Sequence, residues 1–272
     1  MGPSAIQFHL MELINQSLAR FIMTTDQNRS LLRGIEILKT FKPGIDLLGN
    51  ADIAERTQLP KATVSRLTQT LVACGMLEHD QKHRAYRLAA PVLSLAFAMK
   101  QSSPLLNLAA PKMRLYAEKH KVNIGLAVAD GLEMVYLESL RYSTKAAFRN
   151  VVAGLRVPME LTSLGRAWLY TLEESQRERY LQELRRKRSK GWQVLRTQIQ
   201  LALLSLEKKD YCQASWQPGV LALSTPLSGP TLSSGAILNI SVSQAEGDGD
   251  AQRLALILLE LKKEIVQGKN AH

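Results

Sequence analysis

The sequence predicts an α+β protein of two domains, an N-terminal winged helix-turn-helix and a C-terminal antiparallel sheet covered by helices. Three local patterns carry this prediction. Two short helical segments are separated by only Gln58–Pro60, a β-hairpin pattern follows at 76–88, and Asp130-Gly131 lies between two alternating apolar segments. A helix-turn-helix followed by a hairpin is the order of a winged helix, and Asp-Gly between strands is a strong hairpin signal.

The length of the chain limits the number of domains, and its net charge indicates the kind of partner it binds. The chain has 272 residues, enough for two domains with separate cores. Hydrophobic residues make up 46% and charged residues 22%, which is typical of a folded globular chain. Lys and Arg (35) outnumber Asp and Glu (24), and the resulting formal charge of +11 favours a polyanionic partner.

Several classes of protein are disfavoured. Only Cys74 and Cys212 are present, far apart, so we expect no disulfide framework and a reducing, cytoplasmic setting. No signal peptide or membrane-spanning segment is predicted, so no membrane association is expected. The five histidines are scattered and no catalytic motif occurs, so the sequence predicts no metal, no cofactor and no enzymatic activity.

The first part of the chain is predicted to be mostly helical. Residues 1–28 form an N-terminal extension in which 5–23 have the apolar spacing of an amphipathic helix. The winged helix-turn-helix domain is predicted over 29–90 and a linker helix over 91–104, ended by Ser102-Ser103-Pro104. Apolar periodicity places the helices of the winged helix-turn-helix domain at about 29–41, 51–57 and 61–73.

The second domain is predicted over 105–272. It begins with a helix at about 105–120 and a hairpin at 122–140. A capping-box pattern at Ser175–Glu178 predicts the start of the next helix. The remaining elements are a helix at 193–208, paired strands at 220–226 and 236–243 joined at Ser228-Gly229-Pro230, and a closing helix at 251–266.

The helix at 61–73 has a face suited to reading DNA. Val64, Leu67 and Leu71 mark its buried side, and the opposite side carries short hydrogen-bonding residues. Arginine can bond guanine and glutamine can bond adenine in the major groove. Taken alone, this face is equally compatible with a solvated polar surface. The expected DNA contacts are Lys61, Ala62, Thr63, Ser65, Arg66 and Gln69 on the helix, and Lys82, His83 and Arg84 at the hairpin tip.

Three segments of the first domain, Ser30–Leu38, Ala51–Thr57 and Leu59–Leu67, form a recognisable pattern that continues through Thr70-Leu71 and Tyr86–Leu88. In these segments the sequence closely resembles the DNA-binding domain of the IclR family of bacterial transcriptional regulators. The second domain is similar more loosely. Its matching segments are Gly154–Met159, Leu164–Ala167, Pro218–Val220, Pro226-Leu227 and Ala236–Ser243.

The resemblance implies a winged helix-turn-helix, a linker helix and a C-terminal GAF-like α/β effector-binding domain. It also implies a homodimer or homotetramer that binds a palindromic double-stranded DNA operator, and that represses or activates a catabolic operon in response to a small organic or aromatic acid. Two residues depart from the family pattern, Gln58 at a usual turn glycine and Asp210 at a usual glycine before tyrosine. Aspartate tolerates a left-handed backbone better than glutamine, so the turn at Gln58 is expected to differ in shape.

Carried over by position, the effector site is expected to be lined by Ser163, Leu164, Ala222, Asn239 and Ser241. A helix N-terminus at Ser163 would favour an anionic ligand. The alternatives are that Ser163 is a helix N-cap and Ser241 a hydrogen-bonded strand hydroxyl. The segment 213–218 is short and lacks acidic residues, which favours a ligand larger or more aromatic than a small keto acid.

A function of another class remains open from the sequence. The chain could be a metabolite-binding or enzymatic domain with a vestigial winged helix used for protein interaction. The face at Ser65, Arg66 and Gln69 separates the two readings, because a protein-interaction module would more often present apolar anchors there.

Overall fold

The computed structural model describes residues 28–45, 47–142, 151–229, 232–243 and 251–268. The helix predicted over 5–23 and the turn residue Pro230 lie outside these ranges. Internal contacts divide the chain into two units between Leu93 and Ser94. The domain limits inferred from the sequence stay predictions, and each unit is described by itself.

The first unit is a three-helix bundle followed by a hairpin. The two strands of the hairpin pair antiparallel with each other, and an isolated bridge joins Leu48 to Tyr86 on the second strand. The core contains Ile37, Ile53 and Val64, each fully buried. This order confirms the predicted winged helix-turn-helix. The elements are α1 (Arg29–Leu38), α2 (Asn50–Thr57), α3 (Lys61–Ala73), β1 (Leu77–Asp80) and β2 (Ala85–Leu88).

The turn between α2 and α3 depends on a left-handed residue. Gln58 has φ +57° and ψ +21°, the conformation that glycine adopts most readily. Its side-chain Nε2 donates to the carbonyl of Glu55 at 2.6 Å. The expected change of turn shape is therefore wrong, because Gln58 itself adopts the left-handed backbone.

We expect Gln58→Gly to stabilise the first unit by up to about 1 kcal/mol. A left-handed conformation costs an L-residue about 1–2 kcal/mol, and the greater freedom of glycine in the unfolded chain offsets about 0.5–1 kcal/mol of that gain. Urea unfolding of the full chain measures the difference. Gln58→Ala is the control, since it keeps the strain and loses the side-chain bond. A glycine variant that unfolds at lower urea than the wild type would contradict this account.

The second unit is an antiparallel six-stranded sheet with helices on both faces. The helix α4 (Ala90–Ser102) contains the division between the units. The other elements are α5 (Pro104–His120), β3 (Asn123–Asp130), β4 (Glu133–Leu140), β5 (Arg156–Pro158), α6 (Ser163–Tyr170), α7 (Glu174–Lys187), α8 (Trp192–Lys209), β6 (Cys212–Gln213), β7 (Val220–Gly229), β8 (Leu232–Ser243) and α9 (Ala251–Val266). The strands of the sheet lie in the order β5-β4-β3-β8-β7-β6.

The alternation of β8 places polar groups on one face of the sheet. Leu238 and Ile240 point into the core beneath α5 and α9. Ile237 belongs to the core beneath α6 and α8, and residues two apart on a strand share a face. Asn239 and Ser241 therefore lie on the α6 side, as does Ser224 of β7, whose hydroxyl contacts Ser163.

The structure tests the sequence predictions for the start of α7 and for the end of α8. The predicted capping box is wrong, because α7 begins at Glu174 and its N-cap Glu173 makes no side-chain cap bond. Ser175 consequently lies inside the first turn instead of before it.

Asp210 does adopt a left-handed conformation, with φ +61°, where it ends α8. Its carboxylate oxygens accept from Lys262 Nζ at 2.7 and 2.6 Å, which anchors this turn to α9.

Candidate functional site

The polar face of α3 is exposed as the sequence predicts. Val64 is fully buried and Leu67 is 7% exposed, so they fix the inner side of the helix. Thr68 is also buried, and its hydroxyl donates to the Val64 carbonyl and lies 3.2 Å from Asn50 Oδ1 on α2. The contact between Thr68 and Asn50 joins α3 to α2. On the outer side, Lys61, Ala62, Arg66 and Gln69 are exposed, while Thr63 and Ser65 are half-buried.

The hairpin tip is held by Asp80. Its Oδ1 accepts from the His83 backbone N–H at 2.9 Å and lies 3.0 Å from His83 Nδ1, and Oδ2 pairs with Arg87. The backbone hydrogen bond from His83, followed by the contacts of its ring and of Arg87, holds the pKa of the Asp80 carboxyl below its ordinary value. Within the described part of the chain, the exposed cations of Lys82 and Arg84 make no ion pair.

The second unit contains a cavity with about 460 Å³ of empty space, including its open mouth. It lies between the sheet, the start of α6 and the segment 214–217. All five residues expected from the sequence line it, namely Ser163, Leu164, Ala222, Asn239 and Ser241. The described lining also includes Tyr136, Arg141, Val151, Val157, Thr162, Ala214, Ser215, Trp216, Gln217 and Val220.

The start of α6 is capped by Thr162 and not by Ser163. Thr162 Oγ1 accepts from the Gly165 backbone N–H at 3.2 Å and donates to the Pro158 carbonyl at 2.9 Å. The N-cap alternative for Ser163 is therefore wrong. Its hydroxyl lies 2.8 Å from Ser224 Oγ on β7. The first N–H groups of an α-helix lack intrahelical partners, so this end of the cavity favours negative charge.

Two glycines allow the walls of the cavity to approach each other. A Cβ at Gly165 would overlap the carbonyl oxygen and Cα of Met159, so only glycine lets α6 begin here. A Cβ at Gly125 would overlap the ring of Tyr136 and contact Asn239. The tyrosine ring can therefore lie across β3 and form one wall.

The sheet contributes a polar floor. Asn239 is 2% exposed, and its Nδ2 donates to the Leu223 carbonyl at 3.1 Å. Ser241 lies directly opposite Ala222 in the register of β7 and β8. Because Ala222 has a small side chain, it leaves space above the sheet next to these polar groups.

Sequence reasoning missed Arg141, which follows β4 and lines the cavity. Its Nε donates to Ser139 Oγ at 2.7 Å and to the Val151 carbonyl at 3.0 Å. The guanidinium carbon lies 5.5 Å from the centre of the Tyr136 ring. Burial lowers the pKa of the Arg141 guanidinium, and the interaction with Tyr136 opposes that shift. Nothing in the sequence distinguishes this arginine from a solvated one at a strand end.

The buried Cys212 is a structural neighbour of the site. Its Sγ lies 3.4 Å from the Ser163 carbonyl, and burial raises the pKa of the thiol to about 12. A thiol is a nucleophile only when ionised, so Cys212 is inert near neutral pH.

The two sites together define a class of protein. A winged helix-turn-helix with an exposed polar face on its third helix and a basic hairpin tip is combined with a separate α/β unit that contains a cavity lined by polar and aromatic groups. This combination is that of a DNA-binding regulator with a sensor domain.

Comparison with known families agrees with this class. Residues 30–81 match the model of the IclR helix-turn-helix domain, and residues 97–198 match the model of the bacterial transcriptional regulator IclR C-terminal domain. Together these segments cover more than half of the chain. The chain belongs to the IclR family of bacterial transcriptional regulators, a family of regulators and not of enzymes. The predicted winged helix-turn-helix and GAF-like effector domain are thereby confirmed.

Individual relatives extend the comparison. The regulator TsaQ1/TsaQ2 of Comamonas testosteroni is 36% identical over 183 residues, 67% of this chain and 66% of its own length, just under two thirds. An IclR family regulator from Brucella abortus has a similar structure, with a TM-score of 0.82 and 29% identity over 91% of this chain and 94% of its own. An IclR homolog from Microbacterium hydrocarbonoxydans, complexed with 4-hydroxybenzoate, shares the fold at 22% identity, with a TM-score of 0.65 over 88% and 98% of the two chains.

No helix among the described residues has both the length and the apolar character needed to cross a bilayer.

Proposed function

We propose that this protein is a ligand-responsive transcriptional regulator of a catabolic operon, acting in the cytoplasm. It binds a palindromic operator as a dimer or dimer of dimers, and its affinity for DNA changes when a small organic or aromatic acid occupies the cavity. The observation that carries this proposal is the exposed face of α3, with Arg66 and Gln69, beside an uncompensated basic hairpin tip.

The chemistry of that face supports DNA over a protein partner. Lys61, Arg66 and Gln69 donate hydrogen bonds in the geometries that base edges and phosphates accept. Lys82 and Arg84 add positive charge at the tip, where a winged helix meets the adjacent backbone or minor groove. The alternative, a vestigial winged helix used for protein interaction, would require apolar or aromatic anchors that α3 does not present.

The cavity supports a small acidic ligand. Its lining combines apolar and aromatic side chains with a comparable number of polar groups that can orient a small molecule. Tyr136 and Trp216 provide aromatic surfaces, and the start of α6 favours an anion. The ligand of the Microbacterium relative makes 4-hydroxybenzoate a suitable first probe.

Footprinting of the full chain on the DNA upstream of its own gene tests the proposal. We expect two protected half-sites related by a palindrome, spaced by whole helical turns of about 10–10.5 base pairs. Adding an aromatic acid is expected to change the DNA affinity by about 5–150-fold, which corresponds to a coupling of about 1–3 kcal/mol. Protection that is no stronger than on random DNA would exclude an operator-binding function at this site.

The apolar surface of α4 supports a dimer. Leu93 is 75% exposed, Leu95 and Phe97 are each 61% exposed, and no residue of α4 is buried. Such a surface is normally covered by a partner. A palindromic operator has two half-sites, so two winged helices, one from each subunit of a dimer, are needed to bind it. The apolar stripe of the N-terminal extension, with Leu10, Leu13 and Phe21, is a further candidate that lies outside the described residues.

We expect Phe97→Asp to shift the protein from dimer to monomer, because a buried unpaired carboxylate is costly in an interface. Light scattering at micromolar concentration measures the molar mass. Gln101→Glu, which adds a charge at an exposed polar position of the same helix, is the matched control and is expected to stay dimeric. A wild-type monomer that still binds its operator tightly would refute the dimer.

A further inference from the structure

We propose that Arg141 binds the carboxylate of the effector, so that the cavity selects monoanionic aromatic acids over their uncharged analogues. This inference rests on the proposed ligand-responsive function and goes further, because it assigns the charge selection to one residue that the family resemblance did not indicate.

Arg141 is the only charged side chain in the described lining of the cavity. The lining residues include no Asp or Glu, and no ion pair among the described residues involves Arg141. Its Nη2 atom is buried and has no hydrogen-bond partner in that part of the chain. An ionised donor is therefore left with unused hydrogen-bonding capacity next to an open cavity.

No carboxylate among the described residues is paired with Arg141. The sequence from Tyr142 to Leu155 contains no Asp or Glu. On β4, Glu138 is paired with Lys100 at 2.9 Å. Arg141 also borders a second depression next to Glu118 and Arg114, but no ion pair joins it to Glu118. A negative charge from outside the protein is the remaining counterion.

A buried cation without a counterion is energetically unfavourable, and arginine stays charged because its ordinary pKa is far above neutral. Ligand binding provides the missing negative charge. A carboxylate is matched to the planar guanidinium, which donates charge-assisted hydrogen bonds in a fixed geometry. An uncharged amide of the same shape leaves the cation uncompensated and binds more weakly.

The guanidinium is held in position before any ligand arrives. Its Nε is fixed by Ser139 Oγ and the Val151 carbonyl, and the guanidinium carbon lies 5.5 Å from the centre of the Tyr136 ring. The ring of Tyr136 is in turn placed by Gly125. Tyr136 is thus a positioning residue. Because the donor is already ordered, less conformational entropy is lost on binding.

Calorimetry on the full chain with paired probes tests the assignment. The probes are 4-hydroxybenzoate and benzoate, each compared with its carboxamide. The wild type is expected to bind each acid at least about 10-fold more tightly than its amide. Arg141→Gln is expected to lower acid affinity by roughly 10- to 100-fold, the loss typical of a hydrogen bond to a charged group, and to leave amide affinity almost unchanged. Arg141→Lys, which keeps the charge but not the planar fork, is expected to recover part of the acid preference.

Arg156→Gln is the matched control. Arg156 is a partly buried arginine of the same sheet, but it pairs with Asp130 and Glu133 and does not line the cavity. Its removal is expected to leave the acid-to-amide ratio unchanged, and thermal unfolding checks that each variant is folded. An unchanged ratio in Arg141→Gln, amide binding as tight as acid binding in the wild type, or no acid binding at millimolar concentration would each overturn the assignment. Failure of the DNA footprint would overturn the proposed function but not the acid preference.

Discussion

Replacing Arg66 with alanine is expected to weaken operator binding by roughly 1–3 kcal/mol and to relax the base preference at one position in each half-site. Arg66 is exposed on the outer face of α3, one turn before Thr70, whose hydroxyl caps the Arg66 carbonyl at 3.0 Å. A guanidinium in this position can bond the two acceptors of guanine. The measurement is binding to a panel of operators with one base pair changed at a time.

Lys82→Ala is expected to have a different effect from Arg66→Ala, because it removes a contact that does not depend on base sequence. Lys82 lies at the hairpin tip, where it is expected to contact phosphate. Its loss should weaken binding to operator and random DNA about equally, and lower the slope of affinity against salt by about one. If Arg66→Ala leaves every member of the panel unaffected, α3 is not the recognition helix.

Gly165→Ala is expected to destabilise the second unit by about 1–3 kcal/mol or more, and to abolish ligand binding. The added methyl group would overlap backbone atoms of Met159. Backbone atoms cannot move aside as the end of a flexible side chain can. The start of α6 would have to shift, and Ser163 and Leu164 would shift with it. Urea unfolding and calorimetry with 4-hydroxybenzoate measure the two effects.

Gly34→Ala is the control for the glycine substitution. Gly34 lies within α1, and a Cβ there would meet no atom within 4 Å. Alanine is more favourable than glycine inside a helix by roughly 0.5–1 kcal/mol, so this variant should be neutral or slightly stabilised. A Gly165→Ala protein as stable as Gly34→Ala would show that α6 does not lie against Met159.

The parts of the fold that repeat a regular pattern were predictable. The bounds of α3 and α9 match the ranges 61–73 and 251–266 expected from apolar periodicity. The strand β5 was missed because three residues at a sheet edge are too short to show a period. The capping-box pattern at Ser175 predicts the start of α7 in the wrong place. The helix begins at Glu174, and its N-cap Glu173 makes no side-chain hydrogen bond that a sequence pattern could show.

The exposed polar face of α3 and the cavity differ in how far the sequence determines them. The face of α3 follows from one helix, so its orientation could be inferred from Val64 and Leu67 alone. The cavity joins α6, β4, β7 and β8, and its predicted residues came from a family resemblance, not from periodicity. Arg141 reaches it only because Gly125 admits Tyr136 and because Ser139 and Val151 hold the guanidinium. These contacts depend on strand pairing over long sequence separations, which local patterns do not encode.

A ligand bound in the second unit is expected to change the DNA affinity of the first unit. Ser163 is 2% exposed and lies at the start of α6, so Ser163→Trp fills the cavity with an indole, and Ala222→Leu fills part of it with less strain. The response is the ratio of operator affinities of the same protein with and without an aromatic acid. This ratio avoids any difference in basal DNA binding between variants.

The most direct measurement is therefore operator titration of the wild type, Ser163→Trp and Ala222→Leu at zero and saturating 4-hydroxybenzoate. The account predicts a change of about 5–150-fold for the wild type, a smaller change for Ala222→Leu, and none for Ser163→Trp. A Ser163→Trp protein that responds as fully as the wild type would contradict the account, because the acid would then act from a site other than this cavity.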